Sequence, residues 1–228
     1  MTAFNEERNL KVLIESFLAL IETNGLIGDL ILVDNGSTDG SATYLNTIDH
    51  NRVHQIKLFP NVGYGGGVKA AISHSFSDFV VIIPADNQYL LADVSSLIDA
   101  FARINVASQD LVLLKGKRIG RTDPRFVRFL SFFYSTLASL LIGQRISDVN
   151  GLPKIFNKNY ASAFLSHLPN NACLDAALLL EMSLKKIKIV EVPIAYHNRT
   201  IGQASWAKRK LLTSIKMFIT IVGYRLRR

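Results

Sequence analysis

Three short apolar runs constrain this chain more than any other feature: residues 30–33 (Leu-Ile-Leu-Val), 79–83 (Phe-Val-Val-Ile-Ile) and 110–114 (Asp-Leu-Val-Leu-Leu). Each is too short for a helix, lacks the alternation of a half-exposed strand, and ends among turn residues, so each reads as a strand covered on both faces. Between them lie segments of helical period. Residues 6–22 place Leu10, Leu13, Ile14, Phe17, Leu18 and Ile21 on one face. Further helices are expected at 40–47, 67–75, 94–103 and 176–185, and further strands at 54–59, 154–156 and 187–192, the last ending at Pro193. Alternation of this kind predicts an α/β domain, with ligand loops at the C-terminal ends of the strands. The order also calls for a strand before residue 5. Met1-Thr2-Ala3-Phe4 is too short to supply one, so the first strand is expected to be missing or very short.

Composition narrows the partners. A net charge of +8, with a tail from 208 to 228 that contains seven Lys or Arg and no acid, favours phosphates or acidic headgroups. No nucleic-acid-binding motif accompanies that charge, and no nucleic acid partner is expected. Residues 129–142 and 211–222 are apolar, the second interrupted by Lys216, and neither reaches the ~18 to 20 uninterrupted apolar residues of a spanning helix. Both suit helices lying in a membrane interface, or ordinary core helices. Cys173 is the single cysteine, which excludes an intrachain disulfide and fits a buried, inert thiol in a reducing cytoplasm. Residues 1–9 have no apolar leader region. One domain is expected over 1–206, followed by a basic, apolar C-terminal helix over 207–228 that faces a membrane.

Chemistry concentrates at the strand ends. Asp34-Asn35-Gly36-Ser37-Thr38-Asp39 brings a carboxylate to a strand tip, where it can accept from a base or ribose; taken alone, these residues read better as a turn with a Ser37 or Thr38 helix cap. Asn61 to Gly67 supplies four glycines, suited to close backbone approach or to amides facing phosphate. Its order is neither a P-loop nor a dinucleotide fingerprint, which disfavours an oxidoreductase. Asp86, in Pro84-Ala85-Asp86-Asn87-Gln88, ends a buried strand and can hold Mg²⁺ or Mn²⁺ together with diphosphate oxygens.

Taken in order, Asn5-Glu6-Glu7, VDNGSTD, the glycine-rich loop, ADNQ and Gly116-Lys117-Arg118 resemble the family-2 glycosyltransferases of GT-A fold, and within them the polyprenyl-phosphate branch. The resemblance implies a Rossmann-like domain with a mixed, mostly parallel sheet, and inverting hexose transfer from a UDP- or GDP-sugar. The implied acceptor is a polyprenyl phosphate at an anionic membrane surface on the cytoplasmic face; a sugar hydroxyl of a glycan, or a binding module that has lost catalysis, are the alternatives. It assigns the nucleotide sugar to Asn5, Glu6, Asp34, Asp39, Gly63, Asp86 and Gln88, and the divalent cation to Asp86 and Gln88. Phosphate-facing residues are Arg118, Arg128, Ser131 and Arg199. Asp86, Arg118 and Asp175 are the catalytic candidates, Asp175 serving as base for a hydroxyl acceptor or only as the cap of the 176–185 helix. The sequence departs from the family pattern at Pro84, where a first metal acid is usual, and at Asn35, where a second acid is common. Asp148-Val149-Asn150-Gly151 with Lys154 and Phe156, Glu191-Val192-Pro193, Arg199-x-x-Gly202 and Ser205-Trp206 complete the likeness.

Overall fold

The computed structural model describes residues 1–24, 28–104, 106–197 and 210–227. Strand β1 (Thr2–Ala3) leads through helix α1 (Glu7–Asn24) to β2 (Leu30–Asn35), and α2 (Ser41–Leu45) leads to β3 (Val53–Leu58). These strands run parallel in the order β1–β2–β3. Helix α3 (Gly63–Ser73) precedes β4 (Phe79–Ile82), and α4 (Leu91–Ala102) and α5 (Val106–Gln109) precede β5 (Val112–Ile119). Then come α6 (Arg125–Ile142), β6 (Lys154–Asn157), α7 (Lys158–Ser162), α8 (Leu174–Leu184), β7 (Lys188–Ala195) and α9 (Lys210–Leu226). The second sheet has the order β4–β6–β5–β7, with β5 and β7 parallel and β6 antiparallel to both neighbours.

The α/β architecture and the mixed, mostly parallel pairing are as expected, with three corrections. The first strand is present: Thr2 and Ala3 pair with Val33 and Asp34, and the Met1 ammonium donates to Ile31 O at 2.7 Å. It is only two residues long. The pairing therefore divides into two sheets, and beside β1 an apolar cavity of about 420 Å³ opens, lined by Met1, Ile31, Phe79, Val81 and Ile83 among others. None of the expected site residues lines it. Second, β5 continues through Gly116-Lys117-Arg118 instead of ending at 114, because β7 pairs with it along its whole length. Strand β7 likewise runs through Pro193 to Ala195. As the edge strand it can seat a residue without an N–H on its open side.

Third, the 129–142 run is the greater part of an 18-residue helix that begins at Arg125, and by length and composition α6 is long and apolar enough to cross a membrane. Its Tyr134, Ser135, Ala138 and Ile142 face the core while Phe129 and Phe132 stand 63% and 67% exposed. Helix α8 is the opposite case. It is apolar but for Asp175, Glu181 and Ser183, and every residue from Leu174 to Met182 is buried, the two acids with partners. Helix α9 is fastened to it by the Tyr224 hydroxyl, which donates to Glu181 Oε1 at 2.7 Å.

Candidate active site

The tips of β1 and β2 are bound to each other by amides and hydroxyls, with carboxylates among the acceptors. Asn5 adopts a left-handed φ of 57°, which turns its amide toward Ser37 Oγ (3.0 Å) and its side-chain Oδ1 toward the Thr38 amide (2.8 Å). Glu6 N donates to Ser41 Oγ at 3.0 Å, and the Glu6 carboxylate accepts from Asn9 Nδ2. Asp34 is buried and accepts the Ser37 amide at 3.1 Å, closing the turn that the residue types foretold. Asp39 accepts from the Ser41 and Glu7 amides. Burial pushes its carboxyl up, but these bonds and the Ser41 hydroxyl bring it below the usual range. Asn5, Glu6, Asp34 and Asp39 thus share one edge.

Asn35 joins this edge to the glycine-rich segment. Its Nδ2 donates to Gly63 O at 2.9 Å and its Oδ1 accepts the Val62 amide at 3.0 Å. A carboxylate could accept but not donate, so the amide is required. The glycines lie inside α3, four residues earlier than the helix expected from 67. Gly63 has φ +81°, and a Cβ on Gly65 would stand 2.2 Å from Pro169 O. Close approach to the 169–171 segment is what these glycines serve. The Gly63 amide itself donates to Asn61 Oδ1 at 2.8 Å, so it is engaged within the loop.

Beyond β4 the chain turns at Asn87, again at positive φ (54°), with Asn87 Nδ2 donating to Asn9 O at 3.0 Å. The turn aims the half-buried Asp86 carboxylate, whose Oδ1 accepts the Gln88 amide at 3.2 Å. Gln88 spends its side-chain nitrogen on Tyr196 Oη, 2.6 Å away. Among the described residues no three His, Cys, Asp or Glu side chains gather as a metal-binding group. Asp86 alone fits a hard cation that takes its remaining ligands from a diphosphate and water. Tyr64 lies close to Asp175, Tyr89 and Asp86; burial first, and then those neighbours, keep its phenol un-ionised well above its ordinary range.

Arg118 is brought beside this group by β5, but its guanidinium is already committed. Nε and Nη2 donate to the two oxygens of Asp148 at 2.8 and 2.7 Å, the Arg118 amide adds a third bond at 3.0 Å, and the guanidinium carbon lies 5.4 Å from the Tyr196 ring centroid. Burial acts to raise the Asp148 carboxyl, yet Arg118 holds it well below the ordinary range. Behind it, fully buried Lys115 donates to Gly116 O, Asp148 O and Glu191 Oε1. Burial and nearby Lys154 bring its ammonium down to about 8, against the pull of Asp148 and Glu191. Glu191 also accepts the Ser147 amide and hydroxyl and the Asp148 amide, so it anchors the whole 147–148 turn.

Asp175 does not cap α8, where Cys173 holds the capping position without a side-chain bond. It sits in the first turn, buried, with Oδ1 2.6 Å from the fully buried Lys154 ammonium. Cys173 is free and buried, and its thiol is pushed up to about 11, first by burial. Arg128 is exposed on α6, and Ser131 Oγ accepts from Arg121 Nη2 at 3.3 Å. Arg199, Gly202, Ser205 and Trp206 lie outside the described residues, as does the expected boundary at 206/207.

Residues 1–163 match the sequence model of Glycosyl transferase family 2. The chain belongs to that family. Dolichyl-phosphate beta-glucosyltransferase of Saccharomyces cerevisiae is 26% identical, covering 98% of this chain and 72% of the yeast protein. Undecaprenyl-phosphate 4-deoxy-4-formamido-L-arabinose transferase of Sodalis glossinidius is 23% identical over 95% of this chain and 64% of its own length. The chain therefore spans only about two thirds to three quarters of these relatives. Among solved structures, glucosyl-3-phosphoglycerate synthase from Mycobacterium tuberculosis, in complex with Mn²⁺, UDP and glucosyl-3-phosphoglycerate, superposes with a TM-score of 0.71 at 17% identity, over 97% of this chain and 78% of that one. The fold is GT-A, and the protein is a glycosyltransferase.

Within this family-2 enzyme, the sequence placed Asp34, Asp39 and Asp86 at strand tips but missed what fixes them. Asn35 as a latch, Tyr196 against Gln88 and Asp148 against Arg118 all escaped it. One signal was available: Glu191 interrupts an otherwise apolar strand, a pattern that calls for a buried partner.

Proposed function

We propose that this enzyme transfers a hexose, with inversion, from a nucleoside-diphosphate sugar to a polyprenyl phosphate at an anionic membrane surface on its cytoplasmic side. Asp175 carries the choice of acceptor. A hydroxyl acceptor needs a base, and the carboxylate expected to serve is bonded to Lys154 inside the protein. Taking a proton there would strand a buried ammonium without its counter-charge. A phosphate acceptor is already anionic and needs only positioning. Its oxygen attacks the anomeric carbon on the face opposite the diphosphate, the new C–O bond forms, and the old bond's electron pair leaves with the nucleotide.

Asn5, Glu6, Asp34, Asp39 and Gly63 then surround the nucleoside. Asp86 would hold a divalent cation, which when bound would supply charge stabilisation for the departing diphosphate. Gln88 supports Asp86 through its amide. Arg128 and Ser131 on α6, with Arg121 beside Ser131, receive the acceptor phosphate, joined by Arg199. Arg118 shapes the pocket while paired to Asp148. The names of the relatives support lipid-phosphate acceptors, and the neighbouring structures support Mn²⁺ and a UDP-sugar.

The membrane reading rests on α6 and α9, which pack through Phe133 and Phe218 with ring centroids 5.5 Å apart. Together they leave Phe126, Phe129, Leu140, Ile219 and Leu226 exposed, flanked by exposed Arg125, Arg128, Lys216 and Arg227. An apolar face with a cationic margin fits an anionic bilayer interface, each cation adding about 1 kcal/mol near the surface.

The test is transfer from radiolabelled UDP- and GDP-hexoses to polyprenyl phosphate in phosphatidylglycerol vesicles, with added Mn²⁺ or Mg²⁺. Product on the lipid phosphate is expected, with activity lost in Asp86→Ala and retained in part in Asp175→Asn. Donor binding without turnover would support a binding module instead, and transfer only to sugar hydroxyls would overturn the acceptor assignment.

A further inference from the structure

The turn that presents Asp86 is restrained by a distant part of the chain. Asn87 holds a left-handed φ of 54°, a conformation that asparagine adopts more readily than other residues with a side chain. On one side the Asn87 side-chain Nδ2 donates to Asn9 O at 3.0 Å. On the other, Gln88 is held twice by the end of β7. Its Nε2 donates to Tyr196 Oη at 2.6 Å, and its carbonyl accepts the His197 amide at 3.0 Å. The Gln88 amide is in turn the donor to Asp86 Oδ1.

Tyr196 is itself gripped by larger groups. Its ring lies 5.4 Å from the Arg118 guanidinium carbon and packs edge-on against Tyr89 at 5.6 Å. Arg118 is fixed by two side-chain bonds to Asp148, and Tyr89 Oη accepts the Leu152 amide at 3.4 Å. From this geometry we infer that Tyr196 is a positioning residue for Asp86: it ties the 86–88 turn to the Arg118–Asp148 pair and to the strand that leads into the Arg199 segment. The inference rests on the proposed role of Asp86 toward a cation, but the restraint of the turn can be measured without that role.

Tyr196→Phe removes one hydroxyl and keeps the ring against Arg118 and Tyr89. Hydrogen-exchange mass spectrometry on the whole chain should show the 84–89 amides exchanging about three- to tenfold faster, the size of one lost hydrogen bond, with the remaining peptides unchanged. Mn²⁺ affinity, read by electron paramagnetic resonance with UDP or GDP present, should weaken by a similar factor. Tyr196→Ala should extend the faster exchange to the Arg118 segment. Unaltered exchange and unaltered Mn²⁺ affinity in a folded Tyr196→Phe protein would overturn the inference. Faster exchange throughout the chain would reduce Tyr196 to a general packing role, overturning it also. Should the wild type take up no Mn²⁺ with either nucleotide, the functional reading fails while the exchange measurement still decides this one.

Discussion

Around β1–β2–β3 the loops at the strand tips are fastened by amides and hydroxyls, with carboxylates among the acceptors, whereas around β4–β6–β5–β7 they are fastened by ion pairs taken out of water. Asn5, Ser37, Thr38 and Asn35 make the first kind of contact. Lys115, Glu191, Arg118, Asp148, Lys154 and Asp175 make the second. Neutral bonds are worth about 0.5–1.5 kcal/mol each and can open singly. A buried ion pair adds little net stability while whole, yet losing one partner is expensive. The β1–β2–β3 side is thus held by bonds that can open one at a time, while the β5 side is fixed as a unit.

The sharpest way to break this contrast is Asp175→Ala, which leaves the Lys154 ammonium buried and uncompensated. A loss of about 3–5 kcal/mol is expected in guanidinium unfolding, with most of it restored in the double variant Asp175→Leu, Lys154→Met. A loss below about 1 kcal/mol would erase the distinction between the sides. Next in size is Asp148→Asn, expected to cost about 2–3 kcal/mol at neutral pH through the Arg118 bonds. Because the folded-state carboxyl titrates below its unfolded value, that contribution is complete above the ordinary carboxylate range and disappears as pH falls through the folded value. The gap between wild type and variant should therefore narrow from about pH 5 downward, as followed by urea unfolding at each pH.

Gly65→Ala sharpens the comparison from the other direction, since the rigid points near β1 and β2 are steric. A Cβ there meets Pro169 O, a backbone atom that cannot swing aside, and about 2 kcal/mol should be lost in thermal unfolding. The smallest effect is expected at Thr38→Ala. The variant keeps the Thr38 amide on Asn5 Oδ1 and removes only the exposed hydroxyl that accepts from Asn5 Nδ2, at a cost of about 0.5 kcal/mol in thermal unfolding. A loss rivalling Asp175→Ala would mean that the β1–β2 contact is as cooperative as the ion pairs.

Much of the fold could be read from residue order. The helix over Leu10, Leu13, Ile14 and Phe17 and the strand 30–33 both formed, because each buries a face that its own periodicity defines. Strand ends were read poorly. The strand read over 110–114 extends through Gly116-Lys117-Arg118 because β7 lies beside it. Lys115 and Lys154 are fully buried against carboxylates 76 and 21 residues away, pairings that local sequence does not show. The site divides the same way. Asp34 and Asp86 were visible as acids ending apolar strands, while Tyr196 carries no local sign of its bond to Gln88, 108 residues earlier.

By itself the sequence determined the layered α/β class, the carboxylates at the strand tips and the GT-A likeness, because these depend on local period and on the order of short motifs. Tertiary structure alone decided that β1 exists as two residues, that Arg118 is held by Asp148, and that Asp175 belongs to Lys154. The physical reason is that burial and pairing are properties of a position in space. A charge acquires its cost and its partner only when packing removes the water around it.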